Sequence, residues 1–156
     1  MDRSFFGRFL LPVAGVALVS LAMSMPAEAK VAPKNGVYYQ ALGTAYGQLT
    51  TAQGKVTSIS AALKFKTSGG AFCQQGEFNT SEEFSLVVFT PSRPLAVNGK
   101  SRFSLKNVSL PDAPGARLSL NGKFVNRSKA TFFVKVTIGA CKANLNVTNA
   151  KYYAGG

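Results

Sequence analysis

Past residue 36, short apolar runs are broken about every 8 to 15 residues by Gly, Asn, Ser and Thr, and no sustained 3.6-residue periodicity occurs. That punctuation predicts strands. Ile59, Ala61, Leu63 and Phe65 alternate with Ser60, Ala62, Lys64 and Lys66, a half-buried strand ended by Thr67-Ser68-Gly69-Gly70. Residues 84–90 are apolar on both faces through Leu86-Val87-Val88-Phe89, the pattern of a central strand, and Pro91 and Pro94 end it because proline cannot donate to a ladder. Asn98-Gly99 is the strongest turn signal. A two-residue loop there would mix Lys100 and Arg102 into the buried face. A three-residue loop over 98–100 keeps Leu95, Val97, Ser101, Phe103 and Leu105 together and is preferred. The same test rejects a hairpin at Asn121-Gly122, where unbroken alternation groups Leu118, Leu120, Gly122 and Phe124. The clearest strand follows, with Ala130, Phe132, Val134, Val136 and Ile138 inward and Lys129, Thr131, Phe133, Lys135 and Thr137 outward. Cys141, Ala143, Leu145 and Val147 form the last buried row. Seven to nine strands in about 115 residues predict an all-β domain, a single antiparallel β-sandwich with a small β-barrel as the alternative.

The first 29 residues follow a different pattern. Arg3 and Arg8 precede an apolar run over 9–19, too short for the roughly 20 residues of a spanning helix. Pro26 breaks the run, and Ala27-Glu28-Ala29 supplies the small-x-small motif of a cleavable secretory signal. The expected organisation is a signal peptide over 1–29, a flexible lead-in over 30–36 and a β domain over 37–153, with no transmembrane segment after processing. The expected location is secreted, or periplasmic within a cell envelope.

Charge sharpens the picture. Of 18 Lys and Arg only Arg3 and Arg8 precede the cut, and of six acids only Asp2 and Glu28, so the net charge of +12 stays with the domain. Such a field favours anionic partners, here an anionic envelope polymer or anionic lipid surface, and nucleic acid is a poor specific partner for an exported chain. Cys73 and Cys141 are the only cysteines, which in an exported chain predicts one structural disulfide. Closing a loop that long removes chain entropy worth about 4 kcal/mol. The spacing is not that of a redox-active C-x-x-C pair.

Between Tyr46 and Tyr153 the order of landmarks resembles a group of small secreted bacterial domains, of actinobacterial type, with no assigned activity. The matching residues are Tyr46-Gly47, Gly54-Lys55-Val56, Cys73, Asn98-Gly99-Lys100 with Phe103, Gly122-Lys123-Phe124, Ser128-Lys129-Ala130-Thr131, Cys141 and Tyr152-Tyr153. Ser101-Arg102 is inserted before the hairpin Phe, Phe132 stands where Gly is usual, and the closing Trp is missing. The resemblance implies a disulfide-stapled β-sandwich and no activity.

The chain has no His, which removes Ser-His and Cys-His nucleophile pairs, imidazole acid–base catalysis and the usual zinc sites. Ser68 lacks the first Gly of a nucleophile elbow, and no Ser is followed three positions later by Lys. Glu77, Glu82 and Glu83 share one polar loop, the ordinary setting of solvated acids rather than a calcium cage. No cofactor, metal or catalytic residue is expected. The remaining candidate is an anion-binding face of Lys64, Lys66, Arg102, Lys106, Arg117, Lys123, Lys129, Phe133 and Lys135, with Tyr38, Tyr39 or Tyr46 adding contact. Phe133 is the one large aromatic that the alternation turns outward. Solvated lysines that blunt edge pairing are the ordinary alternative. Three functions are weighed: a non-catalytic module on anionic material, a small-ligand carrier with a barrel interior, and a secreted enzyme.

Overall fold

The computed structural model describes residues 29–71, 73 and 84–154. The export signal over 1–29, apart from Ala29, and the acidic loop carrying Glu77, Glu82 and Glu83 lie outside the described residues. Eight strands follow one another: β1 (Gly36–Leu42), β2 (Ala45–Ala52), β3 (Lys55–Leu63), β4 (Ser85–Phe89), β5 (Arg102–Ser109), β6 (Ala116–Asn126), β7 (Lys129–Ile138) and β8 (Cys141–Tyr153). All pairings are antiparallel, in the order β4-β3-β2-β1-β8-β7-β6-β5. Among the described residues there is no helix, and none is therefore long and apolar enough to cross a membrane.

Local turn chemistry explains most of this order. Leu42 pairs with Ala45, Ala52 with Lys55, Asn126 with Lys129 and Ile138 with Cys141, leaving two-residue loops between them. Gln53 and Gly54 both take positive φ (51° and 71°), the conformation a type I′ hairpin requires. These turns force neighbours in sequence to be neighbours in space. They produce two four-stranded meanders, β1–β4 and β5–β8, joined where Val37 pairs with Tyr153 and Tyr39 with Lys151.

The expected sandwich of two sheets is replaced by one curled sheet, a half-barrel. The physical reason is the β1–β8 ladder: it hydrogen-bonds the meanders edge to edge, where a sandwich would stack them. The order is that of an eight-stranded up-and-down barrel with the β4–β5 pairing left out. Residues 90–101 connect those two edges, anchored by paired hydrogen bonds between Val56 and Leu95 (3.1 and 2.8 Å). At the other end Lys66 bridges to Lys142, and Cys73 is bonded to Cys141. The single predicted disulfide is therefore present, tying the chain beyond β3 to the first residue of the last strand.

Two further expectations need correction. The strand over 84–90 is an edge strand, not a central one: β4 pairs only with β3, and Leu86 and Val88 remain 60% and 53% exposed. A run apolar on both faces signals burial only if something covers both faces. The loop at Asn98-Gly99 does have three residues but sits one position later, over 99–101. Asn98 N–H donates to the Arg102 carbonyl at 2.9 Å, and Ser101 takes φ 61°. The Asn98 side chain accepts from the N–H groups of Lys100 and Arg102, both at 2.9 Å, and so selects this longer closure. Leu95, Val97, Ser101 and Phe103 are buried together, as the alternation requires.

The concave side of the sheet holds the core. Tyr38, Phe124, Leu49, Leu63, Leu118, Leu120 and Val134 are almost completely buried, so side chains fill the interior. Gly47 shows how tightly the meanders close. A Cβ there would collide with Val147 and come within 3.1 Å of Leu145 and Phe132, so β2 meets β7 and β8 across the core. Gly122 plays the same part under Phe103. Tyr38 is the polar exception: its hydroxyl donates to the Arg127 carbonyl at 2.7 Å and accepts from Lys34 N–H at 2.9 Å. The lead-in expected to be flexible also donates from Val31 N–H to Ser101 Oγ (2.7 Å) and accepts at the Lys34 carbonyl from Thr51 Oγ1 (2.6 Å).

Candidate anion-binding face

Alternation places the odd set of β7 and its partners on the convex side, and strand register then decides which residues meet. Four rows cross β5–β8. Arg102, Lys123 and Thr131 form the first. Ser104, Asn121, Phe133 and Asn146 form the second. Ser119, Lys135 and Asn144 form the third, with Lys106 beside Ser119 where β5 bulges between Leu105 and Val108. Ser109, Arg117, Thr137 and Lys142 form the fourth, which the bridge extends to Lys66. Rows lie roughly 7 Å apart along the strands and neighbours within a row about 5 Å apart. Beyond the first row, Lys129 stands directly opposite Lys151, and Lys151 in turn opposite Tyr39.

Among the described residues sixteen Lys and Arg face a single acid, Asp112 in the β5–β6 loop. The Lys129–Lys151 pair is therefore a cross-strand like-charge contact with no carboxylate beside it on the sheet, an arrangement that costs stability. Arg117 is steadied by its own hydrogen bond, the guanidinium donating to Ser109 Oγ at 2.6 Å. An open groove of about 780 Å³ lies over the first two rows, lined by Arg102, Ser104, Asn121, Lys123, Phe133 and Asn146 and flanked by the link between β4 and β5. Gly122 also lines the groove, at a position where a Cβ would collide with the Phe103 ring.

Of the nine residues anticipated for the face, Arg102, Lys106, Arg117, Lys123, Phe133 and Lys135 come together on β5–β7, with Lys129 at one end and Lys66 at the fourth row's rim. Lys64 does not join them. It belongs to the first meander, where its Nζ lies 5.2 Å from the centre of the Phe84 ring. Tyr38 is withdrawn too, because it points into the core. Tyr39 and Tyr46 do lie outward, as an aromatic group with Tyr153 (ring centres 5.7 and 6.2 Å from Tyr39) next to Lys151. Lys142 and Lys151 were missed by the sequence reading although the signal was at hand: both alternate with buried residues of β8. Asn121 and Asn146 carried no signal in their own strands, since only register sets them on either side of Phe133.

Fold and face together define a disulfide-bridged, all-β half-barrel with a cationic outer surface on one meander. No family model, curated protein or solved structure matches the chain.

Proposed function

We propose that this chain is an exported, non-catalytic β domain, akin to the small secreted bacterial domains it resembles, that associates with anionic cell-envelope material through the outer face of β5–β8. The observation that carries this reading is the charge distribution. Eight cations (Arg102, Lys106, Arg117, Lys123, Lys129, Lys135, Lys142 and Lys151) stand on four adjacent strands, with Lys129 directly opposite Lys151 in register and no acid on those strands. Solubility alone calls for dispersed charge and does not reward opposed lysines; a polyanion does. The Cys73–Cys141 bridge is compatible with an oxidising compartment, which supports export to the periplasm or beyond. The carrier reading lacks support, because core side chains occupy the concave side.

The test is retention on immobilised dextran sulfate across a salt gradient. Retention at low salt should vanish by a few tenths molar, since screening shortens to about 8 Å near physiological ionic strength. Lys129→Glu with Lys135→Glu should elute earlier than Lys30→Glu with Lys55→Glu, which carries the same charge change away from the face. Equal shifts would mean that net charge alone acts and that the face has no role.

A further inference from the structure

The groove above β5–β7 combines groups that a plain cation patch does not need. Phe133 lies half-buried in its floor between two cross-strand carboxamides, Asn121 on β6 and Asn146 on β8, with Ser104 completing the row. Arg102 and Lys123 form the next row on one side and Lys135 lies in the next row on the other. Cations therefore stand in the adjacent row on either side of the aromatic, Lys135 on its own strand and Lys123 and Arg102 one and two strands over, with rows roughly 7 Å apart along the strands. Resting on the basic-face reading, we infer that this groove is a subsite for an acidic carbohydrate, a glycan bearing uronate carboxylates, with one sugar ring seated on Phe133.

Each element of the row narrows the ligand. The face of a phenyl ring carries the negative part of its quadrupole, so it repels a bare phosphate or carboxylate laid over it and accepts the C–H face of a sugar. A carboxamide offers two donors and an acceptor. Phosphate and sulfate oxygens use only the donors, whereas hydroxyl groups use both, so paired asparagines beside the ring suit a polyol. The flanking Arg and Lys then take carboxylates projecting beyond the stacked ring, with the Arg102 guanidinium able to bind one through two parallel hydrogen bonds. A lipid surface fits less well. Membrane-binding faces push apolar side chains outward into the headgroup layer, whereas Phe133 sits within a recess. The recess has the size of a small-molecule site, within the range of about 300–1,000 Å³, and it is open, as one unit of a longer chain would need.

The experiment is calorimetric titration of the disulfide-bonded protein at about 0.1 M salt with three probes: polygalacturonate, poly-L-glutamate of similar charge density, and anionic phospholipid vesicles. Polygalacturonate should bind at least about tenfold more tightly per carboxylate than poly-L-glutamate. Phe133→Ala should weaken polygalacturonate about tenfold and leave poly-L-glutamate unchanged. Asn146→Ala, at an exposed position where folding is not at stake, should weaken polygalacturonate several-fold and spare the polypeptide. Equal affinity for both polymers, or equal losses in both variants, would overturn the carbohydrate subsite while leaving the basic face intact. Preference for the vesicles would also overturn it and make the face a membrane contact. Absence of binding to any of the three would remove the basic-face reading itself.

Discussion

The two meanders obey one folding rule and present opposite surfaces. Both turn every second residue into a shared core, from Leu49 and Ile59 in the first to Leu120 and Val134 in the second. Outward, β1–β4 shows Tyr39, Tyr46, Leu86 and Val88; Lys55 at the start of β3 is the one cation within its strands, and Lys64 and Lys66 follow just beyond β3. The outer side of β5–β8 carries eight. Their free edges differ in the same sense: β5 carries Arg102 and Lys106 and a bulge, the usual protections of an exposed edge, whereas β4 is short, uncharged and without a bulge. Because the inner faces are equivalent, the fold has no need of the charge difference. The cations of the second meander are placed to answer to something outside the molecule.

The two meanders depend first on being held together. The Cys73–Cys141 bridge spans 68 residues and joins the connection between β3 and β4 of the first meander to the last strand of the second. Replacing both cysteines by Ser should lower stability by about 4 kcal/mol in urea unfolding, mainly by freeing the unfolded chain. A change under about 1 kcal/mol would show that the β1–β8 ladder alone holds the halves.

Next in size is the contact between meanders inside the core. Gly47→Ala places a methyl group against Val147, Leu145 and Phe132. Overpacking of this kind costs about 1–3 kcal/mol, and the loss should appear in the urea midpoint with an unchanged slope. Stability equal to that of the parent would mean that the half-barrel opens further there than the closed core implies.

Tyr38 ties β1 to the turn between β6 and β7, again across the seam. Tyr38→Phe removes the donor to Arg127 and leaves the Lys34 N–H without its acceptor, a loss of about 1–2 kcal/mol. Burial raises the Tyr38 phenol above its ordinary range; the Lys34 hydrogen bond opposes this, Tyr152 reinforces it and Arg127 opposes it. With the folded pKa raised, the stability tied to the neutral phenol is complete below about pH 10, where the unfolded tyrosine titrates, and is lost as pH climbs through the folded value. The stability gap between parent and Tyr38→Phe should therefore be constant up to about pH 9.5 and narrow above it. A gap that widens would assign the wrong form to the buried phenol.

How much of this was legible depended on how local the signal was. β7 and β6, including the unbroken passage through Asn121-Gly122, follow from burial of every second side chain within a single strand. The disulfide needed only two cysteines and an export signal. The pairing of Val37 with Tyr153 joins residues 116 positions apart and leaves no local trace, so one curled sheet was not distinguished from two stacked ones. β4 was misplaced for a related reason: composition reports that Leu86 and Val88 are apolar, while their exposure depends on where the sheet ends. The site divides the same way. Outward lysines can be read from alternation, but Lys64 follows β3 of the first meander rather than lying on β5–β8, and the setting of Phe133 between Asn121 and Asn146 exists only once three strands are in register.

The smallest expected effect discriminates best between a surface shaped for solubility and one shaped for a ligand. Lys129 and Lys151 are direct cross-strand partners, and Tyr39 rather than an acid lies on the far side of Lys151. Opposite charges at such a position favour the sheet and like charges oppose it, by roughly 0.2–1 kcal/mol. Lys129→Glu should therefore stabilise the fold by up to about 1 kcal/mol while weakening retention on dextran sulfate. Leu86→Lys on the other meander should leave stability within about 0.5 kcal/mol, because its side chain is already largely in water, and should not weaken retention. Gain of stability with loss of binding at one position is the signature of a residue kept for its partner. If Lys129→Glu instead destabilised the protein, the opposed lysines would be serving the fold rather than a partner.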